Sequence, residues 1–212
     1  MNIYMLIPFH ECYDILSGDS KTPRGVLHIG AHECEELQDY INKGLIQSRI
    51  VWVDALQEKV DAMKARGIPN VYCAALNDTE QTLQFHITNN GQSSSLLDFG
   101  THQKSYPHIH IVESRTVKTQ TLKSFIETNN ISMEHCNFWN LDIQGKELDV
   151  LKSAEEYLKY ADALYCEVNT EEVYKGCGVL TELDTFLETK GFVRVKISMT
   201  GAGWGDALYM RC

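Results

Sequence analysis

The feature that most constrains this chain is an alternation of short apolar runs with amphipathic stretches of helical period. RGVLHIG (24–30) is an apolar run ending in glycine and predicts a buried strand. ECEELQDYINKG (33–44) follows, with Leu37, Tyr40 and Ile41 on one helical face, acids at its start and Lys43-Gly44 at its end. RIVWVDA (49–55), QEKVDAMKARG (57–67) and NVYCAAL (70–76) then repeat strand, helix and strand. The pattern resumes with NFWNLDI (137–143), KELDVLKSAEEYLKY (146–160), ADALYCEVN (161–169) and VLTELDTFLETKG (179–191). FVRVKIS (192–198) and GDALYMR (205–211) predict a closing hairpin. Strands separated by helices need crossover connections, so the pattern specifies an α/β fold built of parallel βαβ units.

The middle of the chain breaks this rhythm. QTLQFHIT (81–88) alternates like an antiparallel strand, NNGQSSS (89–95) is a polar loop, IHIVESRTVKTQTL (109–122) predicts another strand and SFIETNN a short helix. Residues 81–120 therefore read as an insertion of the kind that carries binding function. Residues 1–23, broken by Pro8, Gly18 and Pro23, read as a lead-in to a single domain over 24–212.

Composition narrows the function. The net charge of −10 repels phosphate backbones and argues against a nucleic-acid partner. The seven cysteines are odd in number, none is spaced C-x-x-C, and Cys73 and Cys166 lie in apolar runs. They read as buried thiols of a reducing compartment. No apolar run approaches the roughly 18 residues that cross a bilayer. The first residues lack a basic region and a cleavage site. A cytoplasmic protein without a membrane span is expected. Oligomeric state is open, and a homodimer is compatible.

Four short motifs carry chemistry. HIGAHECEE (28–36) places Gly30 at a strand-to-helix turn, where backbone N–H groups can meet a ligand. The G-x-G-x-x-G fingerprint is absent, which favours a nucleoside without a pyrophosphate over NAD. Asp54 ends the second strand, placed either to hold ribose hydroxyls or to cap the next helix. Asp142, Gln144 and Gly145 follow an apolar strand and face the same sheet edge, or Asp142 caps the following helix. Glu167 and Asn169 end the next strand. Beside Asp142, Glu167 serves as a general base, as a ligand of a Mg²⁺ or Mn²⁺ ion, or as a buried carboxylate held by backbone donors. Among the histidines His32 is the strongest functional candidate, because it lies in the glycine turn. NNGQSSSLL (89–97) either orders over a ligand or is a solvated loop.

In this order the motifs resemble the FkbM methyltransferases. The resemblance runs from about Val26 to Met210. It is carried by VLHIGAHECEE, IVWVDA, LQFHITNNGQSSSLL, VKTQTL, DIQGKELDVL, YCEVNTEEVYKGC and the GF…DALY ending. His28 stands where the family usually has an acid, and Cys34 where a second glycine is common. The resemblance implies a Rossmann-like class I methyltransferase, with a mostly parallel seven-stranded sheet whose last strand is antiparallel. It implies S-adenosyl-L-methionine as cofactor and O-methylation of a sugar hydroxyl on a glycan or glycoside. Alternatives are a non-sugar small-molecule acceptor and a non-catalytic Rossmann-like binding module. On this reading His28, Gly30, Ala31 and His32 meet the methionine end of the cofactor. Asp54 and Ala55 meet the ribose, Ala75 and Leu76 flank the adenine, and Ser94, Asp142 and Gln144 complete the pocket. Asp142, Glu167 and His32 are the catalytic candidates. Asp142, Glu167 and Asn169 would ligate a metal if the chemistry is metal-dependent. Ser93, Ser95 and Tyr174 are candidates on the acceptor side.

Overall fold

The computed structural model describes residues 5–212. In chain order its strands are β1 (Val26–Ile29), β2 (Ile50–Asp54), β3 (Val71–Cys73), β4 (Ala75–Leu76), β5 (Thr82–Thr88), β6 (Ile111–Gln120), β7 (Phe138–Leu141), β8 (Ala163–Asn169), β9 (Phe192–Met199) and β10 (Trp204–Arg211). Its α-helices are α1 (Phe9–Gly18), α2 (Leu37–Asn42), α3 (Gln57–Ala65), α4 (His102–Ser105), α5 (Leu122–Thr128), α6 (Glu147–Lys152) and α7 (Leu180–Thr189). Seven strands form one sheet in the order β3-β2-β1-β7-β8-β10-β9. The first five are mutually parallel, while β10 runs antiparallel to both neighbours. This is the Rossmann-like sheet with a reversed last strand. The strand order turns back between β1 and β7, and ligands bind at such a switch point.

The central strands are continuously apolar because both faces of the sheet are covered. On one face Leu27, Val51, Trp139 and Leu164 pack beneath Phe125 of α5, Leu151 of α6 and Leu187 of α7. On the other, Val26, Ile50, Phe138 and Ala163 meet Phe9, Cys12 and Leu16 of α1, Tyr40 of α2 and Met63 of α3. The second face changes character along each strand. In register, Val26, Ile50 and Phe138 give way to His28, Trp52 and Asn140, and then to Gly30, Asp54 and Asp142 at the carboxyl edge.

Four local differences from the sequence pattern have physical causes. The stretch 1–23 contains α1, because Pro8 starts a helix (φ −55°) instead of breaking one. The helix expected from residue 33 begins only at Leu37, because His32 and Cys34 adopt left-handed backbone (φ +42° and +55°) and turn the chain first. The run 70–76 is two strands: β3 stays in the main sheet, while β4 pairs with β6 (Ala75↔Thr119). The helix expected over 146–160 stops at Lys152. There the Ser153 hydroxyl donates to the Val150 carbonyl and accepts from the Leu122 amide, and a 3₁₀ turn covers Glu155–Tyr160.

The insertion forms an antiparallel pair, β5 with β6, whose connection 89–110 folds over the carboxyl edge. It is pinned there by Gly100 and His102 amides donating to the Val173 carbonyl and by apolar packing of Leu97 and Phe99 on Val173, Tyr174 and Cys177.

Phe9 ties α1 to the sheet, with its ring edge-on to Tyr40 at 4.6 Å and to Phe138 at 5.3 Å. Phe9→Ala should cost about 3–5 kcal/mol in denaturant unfolding, the range for emptying a buried aromatic site. A loss under about 1 kcal/mol, typical of an exposed position, would show that α1 is not part of the core.

Candidate active site

The turn after β1 is set by backbone crowding. The Gly30 and Ala31 amides donate to the Val53 carbonyl, and the Asp142 amide donates to the Ile29 carbonyl. Gly30 has φ +90°, and a Cβ there would sit 1.7 Å from the Asp142 carbonyl oxygen. Only glycine lets the β1 turn lie against the end of β7.

Two adjoining clefts open on this edge. One is lined by Asp54, Ala55, Ala75, Leu76 and Ser94; the other includes Glu36, Ser93, Glu167, Tyr174 and Asp206. Gly30, His32, Gln92, Asp142 and Gln144 line both. The Gly30 turn, Asp54 and Asp142 thus converge on a single cleft, as the sequence motifs require.

Asp54 shapes the first cleft from below. Its Oδ2 accepts the His32 amide and its Oδ1 the Leu56 amide, both at 2.8 Å. It therefore organises the turn as well as facing the cleft, and burial raises its pKa. His32 is held by its Nδ1 against Glu35 Oε1 at 2.6 Å, and its Nε2 is buried without a partner. Burial pushes Glu35 up, but the His32 contact and the backbone amides of Glu33 and Glu35 together outweigh it, and the net shift is downward.

Gln144, at φ +58°, is the hub of the second cleft. Its amide nitrogen donates to both Asp142 Oδ1 and Glu167 Oε2, and its Oε1 accepts from the Tyr174 hydroxyl. Ser95 Oγ fixes the Gln144 backbone by donating to its carbonyl at 2.8 Å. Burial, then the nearby Asp142 charge, raises Glu167 well above the usual carboxylate range.

Four expected residues are placed otherwise, one of them Ser95, which is buried and lines neither cleft. Ala31 is buried, lines neither cleft and spends its amide on Val53. His28 lines the second cleft from its floor, stacked on Trp52 at 4.8 Å and bonded to the Tyr40 hydroxyl at 3.1 Å. Asn169 lines neither cleft, and both its amide atoms are buried without partners. Among the described residues no group of three or more His, Cys, Asp or Glu is placed to hold a metal ion. Asp142 and Glu167 both accept from the Gln144 amide and Asn169 lines neither cleft, so these three do not fit a metal centre.

Sequence reasoning missed Glu36, Gln92 and Asp206. Asp206 pairs with Glu167 across β10 and β8 and accepts from the Leu6 amide and the Tyr165 hydroxyl. The signal was available: an acid inside the apolar strand GDALYM is a buried polar residue that needs a reason. Burial moves Asp206 up to about 7 and Glu36 up to about 8, and holds His28 down at about 3. At 3.9 Å from Glu36, His28 is thus a neutral neighbour and not an ion-pair partner.

The raised Glu36 costs stability when ionised. Its favourable contribution is complete below pH 4.5 and is lost as pH climbs through about 8. Glu36→Gln should therefore gain in melting temperature over the parent as pH rises from 5 to about 9. A difference independent of pH would show that Glu36 is not held protonated.

These features define a Rossmann-like methyltransferase. The sequence matches the methyltransferase FkbM domain over residues 28–194, and the chain belongs to the FkbM methyltransferase family. Solved structures agree on the fold. The methyltransferase FkbM from Methylobacillus flagellatus KT is similar at TM-score 0.56 and 13% identity, over 89% of this chain and 43% of that one. This chain thus spans less than half of that protein. Magnesium protoporphyrin IX methyltransferase from Synechocystis PCC 6803, solved with bound S-adenosylmethionine, is similar at TM-score 0.51 and 9% identity, over 98% and 79% of the two chains. No curated protein matches the sequence. No helix among the described residues is long and apolar enough to cross a membrane.

The first cleft has the chemistry to hold a nucleoside such as that of S-adenosylmethionine. A carboxylate with backbone-fixed orientation, Asp54, adjoins an apolar wall of Ala55, Ala75 and Leu76, and His32, whose Nε2 is buried without a partner, lines both clefts.

Proposed function

We propose that the enzyme methylates a sugar hydroxyl of a glycan or glycoside, with Asp142 taking the proton. The observation that carries this reading is the junction: the two clefts meet at Gly30, His32, Gln92, Asp142 and Gln144, so an acid stands where cofactor and acceptor would touch.

The bound cofactor supplies a methyl group already activated on a sulfonium. The chain's task is alignment, exclusion of water and proton removal. Asp54, with Ala75 and Leu76, would fix the nucleoside end. Ser94 faces the same cleft from the 89–110 connection. Ser93 and Tyr174 line the acceptor side, where Tyr174 lies 3.3 Å from the Ser93 carbonyl. The acceptor oxygen forms the new bond to the methyl carbon. The cofactor would supply the methyl group and keep the electron pair of its carbon–sulfur bond, and Asp142 would take the hydroxyl proton. Burial favours the neutral form of Glu167, which leaves Asp142 the better placed to accept the proton. Bridged through Gln144, Glu167 keeps Asp142 oriented. His32, held by Glu35, can accept a hydrogen bond from the acceptor at the junction.

Asp54→Ala should weaken S-adenosylmethionine binding by about 1–3 kcal/mol, the cost of leaving buried hydroxyls and amides unpaired. Unchanged affinity in calorimetry would remove Asp54 from the cofactor site.

Asp142→Asn should lower release of S-adenosylhomocysteine by about 10²–10⁴-fold on a glycoside acceptor while cofactor still binds. Turnover at the parent rate would exclude Asp142 as the base.

A further inference from the structure

The acceptor cleft is walled by five carboxyl side chains, Glu35, Glu36, Asp142, Glu167 and Asp206, and among the described residues no Lys or Arg lines it. Several acids elsewhere are paired with cations, as in Glu33 with Lys59 and Glu58 with Arg115. Inside the cleft the basic side chains beside the acids are histidines, His32 at 2.6 Å from Glu35 and the neutral His28 at 3.9 Å from Glu36. A second, independent observation concerns Asn140 on the cleft floor. It is 2% exposed, its nitrogen donates to the Tyr40 hydroxyl at 3.0 Å, and its Oδ1 has no partner. That is a buried acceptor awaiting a donor, and such groups are costly unless paired.

The wall is thus rich in carboxyl groups and, among the described residues, has no Lys or Arg to balance them. Cofactor alone does not balance it, because its sulfonium and ammonium are offset in part by its own carboxylate. An ammonium group brings three donors and no acceptor, while phosphate and carboxylate bring acceptors only. The remaining wall suits a ring: Tyr106 and Trp204 line the cleft, fixed to one another by a hydrogen bond of 3.0 Å from the indole to the phenol. Aromatic faces of this kind accept both ring C–H surfaces and cations.

We propose that the acceptor is an amino sugar, whose ammonium group is received among Glu36, Asp206 and Asn140, and that acceptors bearing phosphate or carboxylate are rejected. The inference rests on the sugar-methylation reading for its ring, and on the cleft alone for its charge. An ammonium draws the proton from Glu36 and Asp206, which burial holds toward the neutral form, and makes charge-assisted hydrogen bonds to the carboxylates it leaves, whereas an anion finds no Lys or Arg in the cleft to receive it.

The test is calorimetry on the full chain saturated with S-adenosylhomocysteine, titrated with the methyl glycosides of glucosamine, glucose and glucose 6-phosphate. Glucosamine should bind at least about tenfold more tightly than glucose, as charge-assisted hydrogen bonds imply, and the phosphate should not bind measurably. Asp206→Asn and, separately, Glu36→Gln should each narrow the gap between glucosamine and glucose. Equal affinities for the two, no binding of glucosamine, tighter binding of the phosphate, or a gap unmoved by both variants would overturn the proposal. Release of S-adenosylhomocysteine from S-adenosylmethionine, measured with the same glycosides, separates the two readings. Selective binding of glucosamine without turnover on any glycoside sinks sugar methylation and leaves the charge preference standing. Turnover on glucose with no preference for the amine sinks the preference alone.

Discussion

The structure depends on the in-register parallel alignment of β1, β2, β7 and β8. Because His28 lies opposite Trp52 and Asn140, and Asn140 opposite Tyr165, the strands end together, and whatever follows each strand is delivered to one edge. One face of that sheet is graded: apolar at the amino ends, mixed in the middle, acidic at the carboxyl ends. The grading lets a single sheet serve as core and as binding wall. Helices α1, α2 and α3 cover the apolar part, and the polar part is left to the clefts.

Burial decides the chemistry at that edge. Carboxyl groups this close cannot all be ionised at modest cost, so the protein distributes protons among them. Glu36, Glu167 and Asp206 are pushed toward the neutral form, chiefly by desolvation. Gln144 does the complementary work, offering one amide nitrogen to two acids and accepting from Tyr174, so the pair is held in place without a cation.

Much of this was legible in the amino-acid order. The apolar runs at 26–29, 50–54, 138–141 and 163–169 named the strands, and Gly30, Asp54 and Asp142 named the edge, because strand-terminal residues of an open parallel sheet share one rim. What escaped is what depends on distant parts of the chain. That α1 belongs to the core is settled by Tyr40 and Phe138, not by the helix's own residues. The role of Asp206 follows from antiparallel pairing with Glu167, and that of Glu36 from a turn whose left-handed residues carry no glycine. Ala31 shows the converse: its position in the motif suggested contact, but its amide was already committed to Val53. Asn169 shares a strand with Glu167, yet its two unpaired amide atoms leave its role without a physical account.

The contact between Gly30 and the Asp142 carbonyl has a consequence for how such an enzyme can change. With no space for even one added carbon between them, the turns after β1 and β7 are locked together at the main chain and cannot drift apart as side chains are exchanged. Freedom to diversify is therefore left to the 89–110 connection, which reaches the rim from a separate small sheet and is anchored mainly on the 173–177 loop. A lineage could remodel what it recognises by rewriting that strap while inheriting the transfer geometry intact.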